Sequence, residues 1–171
     1  MSLIPPDFSE SVVVRAADAE VTGRLPTAIR LLADSSATGG ALSVVRATLT
    51  GGADGARPHR HDNSAEMFFM LSGTARLLSG EEVVTAGPGD LVVVPPGLPH
   101  AFAAPPGHDA DILVVITPGV ERFDYFRHLQ RIALGEASPE SLLDVQERYD
   151  THFLRSSAWE EERAGARERE S

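Results

Sequence analysis

Three of the six histidines and one glutamate fall between His59 and His100, in the order His59-Arg60-His61, Glu66, His100, each set among glycine and proline. Side chains one apart on a strand point to opposite faces and side chains two apart share a face, so His59 and His61 project together. Asp62-Asn63-Ser64-Ala65 suffices for a short turn before Glu66 opens the apolar run Met67-Phe68-Phe69-Met70-Leu71. A hairpin there returns Glu66 to the histidine pair. His100 follows Pro95-Pro96-Gly97-Leu98-Pro99, and a second hairpin delivers it from a neighbouring strand. Three imidazoles and a carboxylate suit one divalent transition metal, whether iron, manganese, nickel, cobalt, copper or zinc, better than calcium or magnesium, which favour all-oxygen shells.

The rest of the chain before Pro118 reads as short strands. Ser11–Arg15, Ala28–Leu32, Leu42–Thr50, Met67–Ser72, Thr74–Leu78, Glu82–Ala86, Leu91–Val94, His100–Ala103 and Asp111–Thr117 are rich in β-formers and separated by Gly, Pro, Asp and Ser clusters. That rhythm predicts an antiparallel sandwich or barrel.

Gly55-Ala56-Arg57-Pro58-His59-Arg60-His61, Glu66 and Gly73 together resemble the first signature of the cupin superfamily, and Gly89, Pro95-Pro96-Gly97 and His100 resemble the second. Ala53 departs from the glycine that usually begins the first signature, and Ala104 from the asparagine that often ends the second. The resemblance implies an all-β fold, the double-stranded β-helix or jelly-roll barrel, whose interior can hold a ligand cavity. It also implies that His59, His61, Glu66 and His100 are the metal ligands.

After Pro118-Gly119 the pattern changes. Val120, Phe123, Phe126, Leu129, Ile132 and Ala133 recur at helical spacing until Gly135. Ser138-Pro139-Glu140 opens a second expected helix, and Ser157-Ala158-Trp159-Glu160 has the form of a capping box for a third, which is expected to fray beyond Ala164. The expected organisation is a barrel over 1–118 and a helical extension over 119–171 that packs on it as a lid, a dimer surface or plain packing. The aromatic set Phe123, Tyr125 and Phe126 reads as core rather than substrate platform. His108, His128 and His152 read as ordinary residues, and Trp159 as a packing anchor.

A length of 171 residues fits one sizeable domain, and the formal charge of -10 argues against nucleic acid or an anionic membrane as partner. The absence of cysteine excludes disulfides and thiolate chemistry. Met1–Asp7 does not combine basic residues with an apolar run, and no stretch approaches the length of a membrane span, so a cytoplasmic location is expected.

Alternation carries the pocket. If Glu66 points inward, Phe68 and Met70 do too; if His100 points inward, so do Phe102 and Ala104. The expected substrate is therefore a small apolar or aromatic molecule, and a homodimer is a further expectation. A small barrel can also simply fill its interior with these side chains.

Fold and metal do not fix chemistry. Three histidines and a glutamate leave about two positions open on an octahedral metal, for substrate and oxygen. The ending Tyr149-Asp150-Thr151-His152-Phe153 behind a single barrel is similar to bacterial single-domain quercetin 2,3-dioxygenases. That resemblance implies a dioxygenase consuming O2 and a flavonol-like or other aromatic enol. Because a ligating imidazole uses one nitrogen on the metal and usually the other on a partner, Glu66 is the remaining candidate for general base. The competing expectations are a non-catalytic metal-containing binding module and a metal-dependent hydrolase or carbon–carbon lyase.

Overall fold

The computed structural model describes residues 8–170, so the reading of Met1–Asp7 lies outside the described residues. Eleven strands pair into two antiparallel sheets. The first contains β1 (Val21–Arg24), β2 (Thr27–Ala33), β3 (Ser43–Leu49), β5 (Ala65–Gly73), β8 (Leu91–Val94) and β10 (Ala110–Thr117), in the order β1-β2-β3-β10-β5-β8. The second contains β4 (His59–Arg60), β6 (Ala75–Ser79), β7 (Glu82–Ala86), β9 (His100–Ala103) and β11 (His152–Phe153), in the order β11-β4-β9-β6-β7. Consecutive strands cross repeatedly between the sheets, which is the jelly-roll arrangement expected from the sequence.

Alternation decides what lies inside. On β3 the buried positions are Ser43, Val45, Ala47 and Leu49; on β10 they are Ala110, Ile112, Val114 and Ile116; on β5 they are Glu66, Phe68 and Met70. These inward faces meet Leu77 and Phe102 of the second sheet in one core. Glu66 shares a face with Phe68 and Met70, as period-two alternation requires. It stands opposite Ile116 on one side and Val94 on the other, towards one end of β5.

The run Ser11–Arg15, expected as a strand, pairs with nothing among the described residues. Its Val12, Val13 and Val14 are exposed, because β-branched content without a partner edge does not make a strand. Past the barrel, α1 (Phe123–Ala133) replaces the expected helix from Val120, and Pro139–Val145 is a 3-10 helix rather than an α-helix. The last helix, α2 (Ser157–Glu170), runs past Ala164 instead of fraying there. Its cap is Ser156, whose Oγ accepts from Trp159 N, so the cap lies one residue before the expected Ser157 and the expected capping box does not form. Trp159 packs on Leu78, Ala101 and Ala103 of the outer face of the second sheet, the anchoring role expected of it. Among the described residues no helix is long and apolar enough to cross a membrane.

Candidate metal centre

His59 and His100 are direct cross-strand partners on β4 and β9, His61 follows β4, and Glu66 reaches across from β5. The three imidazole rings lie 4.3 to 5.1 Å apart, centroid to centroid. Their Nε2 atoms converge on one carboxylate oxygen: Glu66 Oε2 is 2.6 Å from His100, 3.2 Å from His61 and 3.9 Å from His59. All four side chains are buried.

Each ring is turned by the same device. His59 Nδ1 meets the Arg57 carbonyl at 2.7 Å, His100 Nδ1 the Leu98 carbonyl at 2.9 Å and His61 Nδ1 the Asp150 carbonyl at 2.5 Å. A carbonyl only accepts, so each Nδ1 carries a proton and, in the neutral ring, each Nε2 offers a lone pair inward, the tautomer that metal-binding histidines adopt. His100 Nε2 is buried and makes no properly aligned hydrogen bond, although Glu66 Oε2 lies 2.6 Å away. At that distance the carboxylate needs either a proton on His100 Nε2 or a metal cation held beside both atoms. The donors therefore fit a divalent transition metal, and His59, His61, Glu66 and His100 are a group that can hold one.

The electrostatics agree. Burial raises the Glu66 carboxyl, but the charge of His61 and hydrogen bonds from His100 and His61 outweigh it and hold the group well below its ordinary value. Burial, reinforced by the charge of His100, drives His59 well below its ordinary value. Burial lowers His100 too, but contact with Glu66 raises it on balance. A buried ionised carboxylate beside a histidine that shuns protons is a cluster prepared for a metal cation.

The centre opens on a cavity of about 160 Å³ whose walls include His59, Glu66, Phe102, Val45, Val114 and Ile29. Of the expected pocket residues, Phe102 lines this cavity. Phe68, Met70 and Ala104 do not: all three are buried in the barrel core. Phe68 sits beneath the centre, with its ring 6.1 Å from that of His100 and 5.5 Å from that of Phe102. Alternation gave the correct face for these three but not the depth, since residues further along a strand from the mouth pack against the opposite sheet. Gly55 also lines the cavity, and a Cβ there would lie 2.4 Å from the Phe102 ring, so the wall requires glycine.

The other walls come from the C-terminal extension. Tyr125, Phe126 and Leu129 of α1, Leu142 of the 3-10 helix and Phe153 of β11 all face the cavity, as does Arg122 just before α1. Tyr125 and Phe126, expected as core alone, thus form part of the cavity wall. Asp150 is likewise illegible in sequence. Its carboxylate accepts from Asp62 N at 2.8 Å and Asn63 N at 2.9 Å, while its carbonyl holds His61. His152, read as ordinary, lies 3.4 Å from both Asp62 and Asp150.

The family model described as a cupin domain matches residues 45–116. Residues 45–116 are thus similar to a cupin domain. All four converging side chains lie within it, whereas the covering residues from Arg122 to Phe153 lie beyond it. An uncharacterised protein of Streptomyces coelicolor is 35% identical over 68 residues, which span 40% of this chain and 61% of that relative's length. Among solved structures, an RmlC-like cupin of Shewanella frigidimarina superposes with a TM-score of 0.56 at 17% identity, covering 68% of this chain and 96% of that one. The polyketide cyclase RemF of Streptomyces resistomycificus superposes with a TM-score of 0.53 at 22% identity, covering 64% and 80%. At these identities the likeness concerns the fold.

Proposed function

We propose that this cupin is a metal-dependent dioxygenase acting on a compact aromatic enol. The observation that carries the reading is the convergence of three Nε2 lone pairs and Glu66 at the wall of an apolar cavity. Held by His59, His61, Glu66 and His100, a divalent transition metal would supply Lewis acidity that eases loss of a hydroxyl proton and would make the substrate's electrons available to O2.

The chain's own residues set substrate size and exclude water. The cavity of about 160 Å³ is close to the ~150 Å³ void that accepts one benzene ring. That favours a single-ring enol over a three-ring flavonol, and Phe102, Phe126 and Phe153 supply apolar walls for a planar ring. Glu66 is the proposed acceptor of the enol proton, since the three imidazoles each use Nδ1 on a carbonyl and Nε2 toward the centre.

A second reading is an oxygen-independent lyase or cyclase with the same residues. The barrel's likeness to a structure described as a polyketide cyclase favours it as the alternative. The test is to load metal-free protein with Fe, Mn, Ni, Co, Cu or Zn and follow O2 uptake and substrate loss for one-ring enols and for quercetin. We expect one O2 consumed per one-ring substrate, no turnover under nitrogen and little turnover of quercetin. Turnover that persists under nitrogen selects the second reading. Glu66→Gln, compared at full metal occupancy, should slow turnover by about 10²–10⁴-fold. A loss within threefold leaves Glu66 a ligand only.

A further inference from the structure

Arg122 is an unusual residue to find beside an apolar cavity. It is 5% exposed, and it stands on the wall of the cavity beside the metal centre together with Glu66 and His59. A smaller adjoining void is lined by the same Arg122 and Glu66. Its Nη1 donates to the Tyr149 carbonyl at 3.2 Å and to Thr151 Oγ1 at 2.6 Å, both neutral acceptors. Its Nε is buried without a hydrogen-bond partner among the described residues. The guanidinium stacks over Tyr125 at 4.4 Å and Phe126 at 5.4 Å from the ring centroids.

Arginine does not lose its proton in proteins, so this is a permanent buried charge. Arg163 and the half-buried Arg46 show what satisfaction looks like: each guanidinium Nε donates to a carboxylate, Arg163 to Asp54 and Arg46 to Asp111, both at 2.8 Å. For Arg122 no carboxylate stands within ion-pair distance among the described residues. An unpaired buried charge and an unmade hydrogen bond are both expensive, and neither is needed to build the wall, for which an aliphatic side chain would serve. The arrangement becomes favourable when an anion enters the cavity.

We propose that Arg122 is the anion anchor of the cavity, and that the ligand is a compact aromatic or enolic carboxylate whose carboxylate meets the guanidinium while its ring lies among Phe102, Phe126 and Phe153. The inference deepens the reading above by naming the substrate class, and it rests on that reading for the enol only. A one-ring carboxylate suits both the volume and the charge. Contact of the guanidinium with the Tyr125 and Phe126 rings and its two hydrogen bonds through Nη1 hold it in place, so little side-chain freedom is lost when the anion binds.

The experiment uses two shape-matched probes, benzoate and its neutral counterpart benzamide, titrated calorimetrically into metal-free and metal-loaded protein. Arg122 acts without the metal, so benzoate should bind metal-free protein at least tenfold more tightly than benzamide. In Arg122→Gln, shown folded by circular dichroism, that preference should vanish while benzamide binding stays within about threefold of the parent. Arg122→Lys keeps the charge and should keep part of the preference. Equal affinity of the two probes for the parent protein, absence of benzoate binding, or a preference that survives Arg122→Gln would each overturn the proposal. Should Arg122→Gln fail to fold, the comparison of probes on the parent still decides. Metal content and O2 uptake are read separately, so a protein that prefers benzoate but consumes no oxygen sinks the dioxygenase and leaves the anchor standing.

Discussion

His61 is aimed by a residue 89 positions further along the chain, since its Nδ1 donates to the Asp150 carbonyl. Asp150 has φ of 46°, a left-handed conformation that aspartate tolerates better than most residues. Both of its carboxylate oxygens are engaged by the backbone amides of Asp62 and Asn63, which tie the Tyr149–Thr151 segment to the loop carrying His61. Asp150→Ala removes both hydrogen bonds and leaves a residue poorly suited to positive φ. Metal affinity, measured against a competing chelator, should therefore fall by about 10–100-fold, the usual effect of losing a partner that orients a ligand. Asp150→Gly keeps the backbone conformation and should fall less than Asp150→Ala. Equal affinity of Asp150→Ala and the parent would show that His61 orients itself.

At the scale of elements, α1 and the 3-10 helix Pro139–Val145 close the side of the cavity that the barrel leaves open. The start of α1 has no cap from its own side chain. Asp34, from the loop after β2, accepts from Arg122 N at 2.6 Å and Phe123 N at 3.1 Å instead. That contact fixes the position of Arg122 and the aromatic turn that follows. Leu142 is 4% exposed, packs with Tyr125 and Tyr149, and faces the cavity. Leu142→Ala should cost about 2–5 kcal/mol in denaturant unfolding. The enlarged cavity should at the same time improve binding of 2-naphthol relative to phenol. If the ratio of those two affinities does not move, Leu142 packs the covering segment without limiting ligand size.

The same elements show what the sequence revealed and what it did not. Strands β3, β5 and β10 were legible because alternation and glycine or proline punctuation coincide, and the donor set was legible because its spacing follows the strand period. The Ser11–Arg15 run misled because pairing, unlike composition, depends on a distant edge. The two-residue strand β11 was missed because it is too short to show a period. Arg122, Tyr125, Asp150 and Phe153 could not be read as site residues, since only the return of the chain across the barrel mouth brings them there. One local signal was available: Tyr149-Asp150-Thr151-His152-Phe153 packs aromatic, acidic and imidazole groups into five residues, a density uncommon in an ordinary helical linker.

At the scale of the whole molecule, the two sheets meet around a cluster that holds a charged carboxylate inside the core, and this links global stability to protons and metal together. His59 has a folded pKa below its ordinary value of 6.5, so its contribution is present above that pH and is lost as pH falls toward the folded value. Glu66 behaves likewise below its ordinary 4.5. His100 has the opposite sign: its raised pKa stabilises the metal-free protein below pH 6.5 and ceases to do so as pH rises through the folded value. Where His100 is protonated a metal must displace that proton, so affinity falls with acidification. Metal at about a hundredfold excess over Kd adds ~2.7 kcal/mol. For a chain of this length that amounts to a rise in Tm of about 5–11 °C. Thermal scans with and without metal at fixed free concentration should show that gap at pH 8 and a much smaller one at pH 5.5. A gap that stays constant over this range would mean that binding displaces no proton from His100, and the cluster at Glu66 would not be the metal centre.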